Sequence, residues 1–112
     1  EFTYGRIEAR AKMPAGGGTW PAIWMLGANF DEVGWPQTGE IDIMEWVGNE
    51  PERTSSALHY PGNFGGNAVV GDSTIDNATS EFHIYTAEWT EDTITFLLDG
   101  EVFFTFDNDA SF

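Results

Sequence analysis

Glu40-Ile41-Asp42-Ile43-Met44-Glu45 carries three carboxylates in one short stretch, and such acids can share a reaction only if they share a face. In a regular strand side chains alternate, so Glu40 and Asp42 lie together while Glu45 falls on the side of Ile41 and Ile43. A β-bulge that takes up Met44 returns Glu45 to the face of Glu40 and Asp42. Two carboxyl groups flanking a bond suit cleavage of a glycosidic linkage, one attacking the anomeric carbon and the other protonating the leaving oxygen. Glu40 is the candidate nucleophile and Glu45 the candidate acid/base. Asp42, between them, is placed to hydrogen-bond Glu40 and tune its orientation and charge. The two glutamate backbones are expected about 13 Å apart along the strand, so their side chains must lean together. A gap of about 5 to 5.5 Å corresponds to retention of configuration. At that range the three acids titrate as a coupled set. The alternative reading is a half-buried strand with a solvated acidic face.

Strands are expected to position these groups. Alternation over Arg6 to Met13 puts Ile7, Ala9, Ala11 and Met13 on one face, and Pro14-Ala15-Gly16-Gly17-Gly18 ends that strand. Trp20 to Leu26 reads as the next strand. A loop from Gly27 to Gly39 then carries Trp35 to the acidic strand. Ser55 to Tyr60 is β-prone, and Pro61 to Gly71 reads as a long glycine-rich loop. Phe82 to Trp89, Thr93 to Leu98 and Glu101 to Phe106 complete the set, with Asp99-Gly100 as a two-residue hairpin turn needing positive φ at both positions. No segment shows a helical period, so the class is all-β. Trp20, Trp24, Trp35 and Trp46 cluster around the acids, where aromatic faces serve as platforms for sugar rings; core packing is their alternative fate.

The chain has 112 residues, enough for one small domain. Its aromatic fraction of 15% marks a sequence that folds. Nineteen acids against four bases leave a net charge of -15, which repels nucleic acid and anionic membranes and leaves a neutral polysaccharide as a suitable partner. Arg6, Arg10 and Lys12 alternate with Glu8 and read first as a solvated face, with Arg6 reaching a cleft as the second reading. No cysteine is present, so no disulfide framework is expected. No apolar run reaches bilayer length. His59 and His83 are isolated, and the Asp72 to Asp76 stretch lacks the spacing of a calcium loop, so no metal ligand set is assigned.

Several motifs carry a resemblance. Tyr4-Gly5-Arg6-Ile7-Glu8-Ala9-Arg10-Ala11-Lys12-Met13-Pro14, Trp20-Pro21-Ala22-Ile23-Trp24-Met25-Leu26-Gly27, Gly34-Trp35-Pro36 and Gly39 lead into the acidic motif. Phe82-His83, Tyr85, Glu88-Trp89 and Asp99-Gly100 follow it. Together they resemble the family 16 glycoside hydrolases, in particular the laminarinase branch. The resemblance implies a jelly-roll β-sandwich (concanavalin-like) with a carbohydrate cleft on its concave sheet, and retaining endo-hydrolysis of β-1,3-glucan. It makes Glu40 the nucleophile, Asp42 the assisting carboxylate and Glu45 the acid/base. It also makes Trp35 a sugar-stacking residue and brings Asn29 and His59 near substrate, with Trp20 as a further platform. The extra Met44 is similar to the bulged branch, which includes enzymes on β-1,3-glucans and marine galactans. A glucan-binding lectin on the same sandwich, or a galactan hydrolase, is the alternative. The resemblance further implies that residues 1–112 are the central part of one catalytic domain, with outer strands missing at both ends. It implies no cofactor beyond a structural calcium in the complete domain. A polymer substrate argues for a secreted protein, and a monomer is expected.

Overall fold

The computed structural model describes residues 1–109. Among these, eight strands run in chain order β1 (Gly5–Ala11), β2 (Ala22–Leu26), β3 (Glu40–Glu45), β4 (Arg53–His59), β5 (Val69–Thr74), β6 (His83–Trp89), β7 (Thr93–Leu98) and β8 (Glu101–Asp107). They form two antiparallel sheets, β1-β6-β7-β8 and β2-β3-β4-β5. The inward sides of both sheets build one core, containing Ile41, Ile43, Met44, Trp46 and Leu58 from one layer and Tyr85, Ala87, Ile94 and Phe96 from the other. This is the all-β sandwich expected from the strand pattern.

Local sequence explains the elements. Ile7, Ala9 and Ala11 of β1 pair with Ala87, Tyr85 and His83 of β6 and face inward, while Arg6, Glu8 and Arg10 face solvent. Arg6 binds both Glu8 and Glu88, and Arg10 and Lys12 sit over the Phe82 ring. These charges therefore cover the outside of the β1 sheet, and Arg6 is not in the sheet that carries the acids. Asp99 and Gly100 have φ of 49° and 84° and close the β7–β8 hairpin as a turn of the expected kind.

Two expectations require correction. The stretch Pro61 to Gly71 is not one loop: a single 3-10 turn spans Gly65–Asn67 and β5 begins at Val69. Glycine at 71 masks the strand, because its inward side meets the Phe104 ring and leaves no room for a side chain; a Cβ there would lie 2.1 Å from Cγ of Phe104. Among the described residues one α-helical turn, α1 (Phe30–Val33), also lies inside the Gly27–Gly39 loop. Four residues are too few to show a 3.6-residue period.

Candidate active site

Pairing of β3 with its neighbours locates the bulge. Against β4, Asp42 pairs with Ala57 and Glu45 with Ser55, so Ile43 and Met44 together oppose Ser56. Against β2, Met44 pairs with Ile23 and Asp42 with Trp24, so Ile43 is the unmatched residue on that side. Both Ile43 and Met44 are buried in the core, and Ser56 Oγ donates 2.8 Å to the carbonyl of Ile43. Burial of two consecutive side chains is what restores Glu45 to the outer face. Paired residues share a face, so one surface carries Ala22, Trp24 and Leu26 from β2, Glu45, Asp42 and Glu40 from β3, and Ser55, Ala57 and His59 from β4.

Each glutamate is held by a tryptophan. Trp35 Nε1 donates to Glu40 Oε2 at 2.7 Å, and Trp20 Nε1 donates to Glu45 Oε1 at 3.1 Å. Both rings remain exposed above the sheet. The loop that carries Trp35 is pinned at its base: Gly27 N–H donates to the carbonyl of Gly39, and Thr38 Oγ1 lies 2.9 Å from both the carbonyl of Gly27 and Asn29 Oδ1, its one hydrogen serving that pair. Asn29 thus braces the Trp35 loop. Trp20 lies between Thr19, whose carbonyl accepts from Gly48 N–H, and Pro21, whose carbonyl accepts from Trp46 N–H. These bonds fix its backbone beside the end of β3.

Asp42 is the buried member of the three. It shares a hydrogen bond with Glu40, and His59 Nε2 lies 2.9 Å from its Oδ2. Burial first, then the bond to Glu40, then the charges of Glu40 and Glu45, push the Asp42 carboxyl up to about 8. At neutral pH it is therefore a protonated acid, able to donate to Glu40. Donor atoms of Glu40, Asp42 and His59 lie within 4.8 Å of one another, a closeness that their mutual hydrogen bonds account for.

The structure brings together Glu40, Asp42, Glu45, Trp35, Trp20 and His59, and places Asn29 against Thr38 at the base of the loop that carries Trp35. Trp46 separates from the other tryptophans: it is buried, donating to the carbonyl of Pro51. The sequence pattern assigned no role to Phe64, whose ring stands edge-on to Trp35 at 5.5 Å, nor to Gly65, whose N–H donates 3.1 Å to His59 Nδ1. A lone aromatic in a glycine-rich loop directly after the His59 strand was the available signal. Trp24, exposed and cross-strand from Asp42, also belongs to this surface.

An antiparallel two-sheet sandwich with a bulged acidic strand on an open, tryptophan-lined face is a jelly roll of the kind found in sugar-cleaving proteins. The sequence profile of Glycosyl hydrolases family 16 matches residues 1–112. The chain belongs to family 16 of the glycosyl hydrolases. It is 39% identical over 112 residues to a β-glucanase of Rhodothermus marinus, covering 96% of this chain and 39% of that protein. A β-1,3-glucan-binding protein of Penaeus monodon is 38% identical over 122 residues, covering 99% of this chain and 33% of that protein. The laminarinase catalytic domain of Thermotoga maritima MSB8 superposes with a TM-score of 0.93 at 41% identity, covering 97% of this chain and 45% of that domain. The chain thus spans about two fifths of the length of this β-glucanase and of a glucan endo-1,3-β-glucosidase of Cryptopygus antarcticus.

Proposed function

We propose that this chain carries the catalytic centre of a retaining endo-hydrolase of β-1,3-glucan. The observation that carries the reading is the Ile43–Met44 bulge, which turns Glu45 to the face of Glu40 while a tryptophan N–H orients each. In this reading Glu40 attacks the anomeric carbon, the bond from that carbon to the leaving oxygen breaks, and Glu45 gives its proton to that oxygen. Water then attacks the glycosyl ester, Glu45 takes the water's proton, and Glu40 leaves as a carboxylate. Glu40 suits the first role because two donors, Trp35 Nε1–H and the Asp42 hydroxyl, stabilise its charge and aim it. Glu45 lies at the other end of β3, its carboxylate accepting from Trp20 Nε1–H.

The exposed faces of Trp35, Trp20 and Trp24 offer stacking surfaces for neutral sugar rings. Glucan as substrate belongs to the same proposal, supported by the similarity to glucan-acting relatives; an extracellular setting suits a polymer substrate, and a monomeric state completes the reading. Among the described residues no helix is long and apolar enough to cross a membrane.

Similarity to a glucan-binding protein favours a second reading, binding without turnover. The two separate by experiment. In the full protein Glu40→Gln is expected to abolish release of reducing ends from laminarin while laminarin binding persists. Unchanged hydrolysis by that variant removes Glu40 from the mechanism, and binding with no turnover by the wild type establishes the second reading.

A further inference from the structure

Asp42 needs more than a raised proton affinity to serve Glu40, because its hydroxyl must sit on the oxygen that faces Glu40. The ring of His59 bears on that choice. A backbone N–H can only donate, so Gly65 N–H at 3.1 Å makes His59 Nδ1 an acceptor. The ring hydrogen then lies on Nε2, 2.9 Å from Asp42 Oδ2. Oδ2 accepts that bond and is the carbonyl oxygen of the acid, so the hydroxyl falls to Oδ1 and is available for the hydrogen bond that Asp42 shares with Glu40.

We propose that His59 is a positioning residue, latched by Gly65 N–H and holding Asp42 Oδ2 so that the Asp42 hydroxyl is presented to the nucleophile. This rests on the reading of Glu40 as nucleophile. The latch is built into the sugar-facing wall. His59 pairs cross-strand with Glu40, lies mostly buried beside Trp35 with ring centroids 5.6 Å apart, and takes its hydrogen bond from the loop whose Phe64 also meets Trp35 edge-on. Gly65 has φ of 58°, a conformation that favours glycine and turns its N–H at the ring. The titratable groups facing His59 are Glu40 and Asp42 of β3, with Glu45 further along the same strand. The segments around it that carry Trp35 and Phe64, 34–39 and 61–68, have none.

Three measurements on the full protein test this. Ring nitrogen NMR of His59 at pH 8 is expected to show hydrogen on Nε2; hydrogen on Nδ1 overturns the proposal whatever the enzyme does. His59→Ala is expected to lower kcat about 100-fold, the scale of a misoriented reacting group, with KM within about twofold. Its alkaline limb should move to higher pH, because a donor to the Asp42 carboxylate is lost. His59→Gln, whose amide can donate to Oδ2, is expected to recover most of kcat and return the limb. A loss in both variants with no movement of the limb reduces His59 to packing and overturns the proposal. If the wild type cleaves no glucan, the assignment of Glu40 fails instead, and the tautomer alone decides the latch.

Discussion

Replacing Asp42 by asparagine should stabilise the fold at alkaline pH, although it alters a residue at the centre of the site. Burial, the bond to Glu40 and the charges of Glu40 and Glu45 raise the Asp42 carboxyl from 3.8 to about 8. The folded protein therefore holds a proton that the unfolded chain releases near pH 4. Because the folded-state value is the higher one, the contribution of this group is full below about pH 4 and is lost as pH rises to about 8. At ~1.4 kcal/mol per pH unit, that window sets a ceiling on the order of 5 kcal/mol. The carboxamide of the variant has nearly the same shape, can donate to Glu40 and can accept from His59, but carries no proton to lose. The remaining acids are common to both proteins, so the difference between them isolates this site. Urea unfolding of the full protein at pH 5 and pH 9 measures it. Wild type is expected to lose several kcal/mol more than Asp42→Asn over that range. Parallel losses in the two proteins refute the assignment of a buried, protonated Asp42.

Packing between the sheets yields two further predictions. Gly71→Ala forces a methyl group against the root of the Phe104 side chain and should cost about 1–3 kcal/mol by overpacking; combining it with Phe104→Ala should recover part of the loss in a double-mutant cycle, and simple additivity would contradict the contact. Phe96→Ala removes a fully buried ring stacked on Phe104 at 5.7 Å and should cost about 3–5 kcal/mol, read as a fall in the urea midpoint. A loss below about 1 kcal/mol would place Phe96 outside a close-packed core.

Much of the site could be read from six residues because strand parity is a strict rule. Once Glu45 is required on the face of Glu40, a bulge between Asp42 and Glu45 follows, and so does the inward turn of Trp46. The same parity separates Trp24, which faces out beside Asp42, from Ile23 and Met25, which face in. The Asp99-Gly100 turn was legible because its backbone needs positive φ twice. Other features depend on partners distant in sequence. The β5 strand looks like a loop because Gly71 is dictated by Phe104, a residue far along the chain. The bond from His59 to Asp42 follows from register between β3 and β4, which the 46–52 connection sets and alternation does not reveal. Phe64 and Gly65 likewise gain meaning only when their loop folds back on Trp35 and His59.

The stereochemistry of the first product tests the pairing of Glu40 with Glu45 most directly. Proton NMR of the full protein acting on a laminari-oligosaccharide reads the anomer formed before mutarotation. Two carboxyls close enough for Glu40 to attack the anomeric carbon release the β-anomer first. First appearance of the α-anomer would mean direct attack by water across a wider gap, and would contradict Glu40 as a nucleophile.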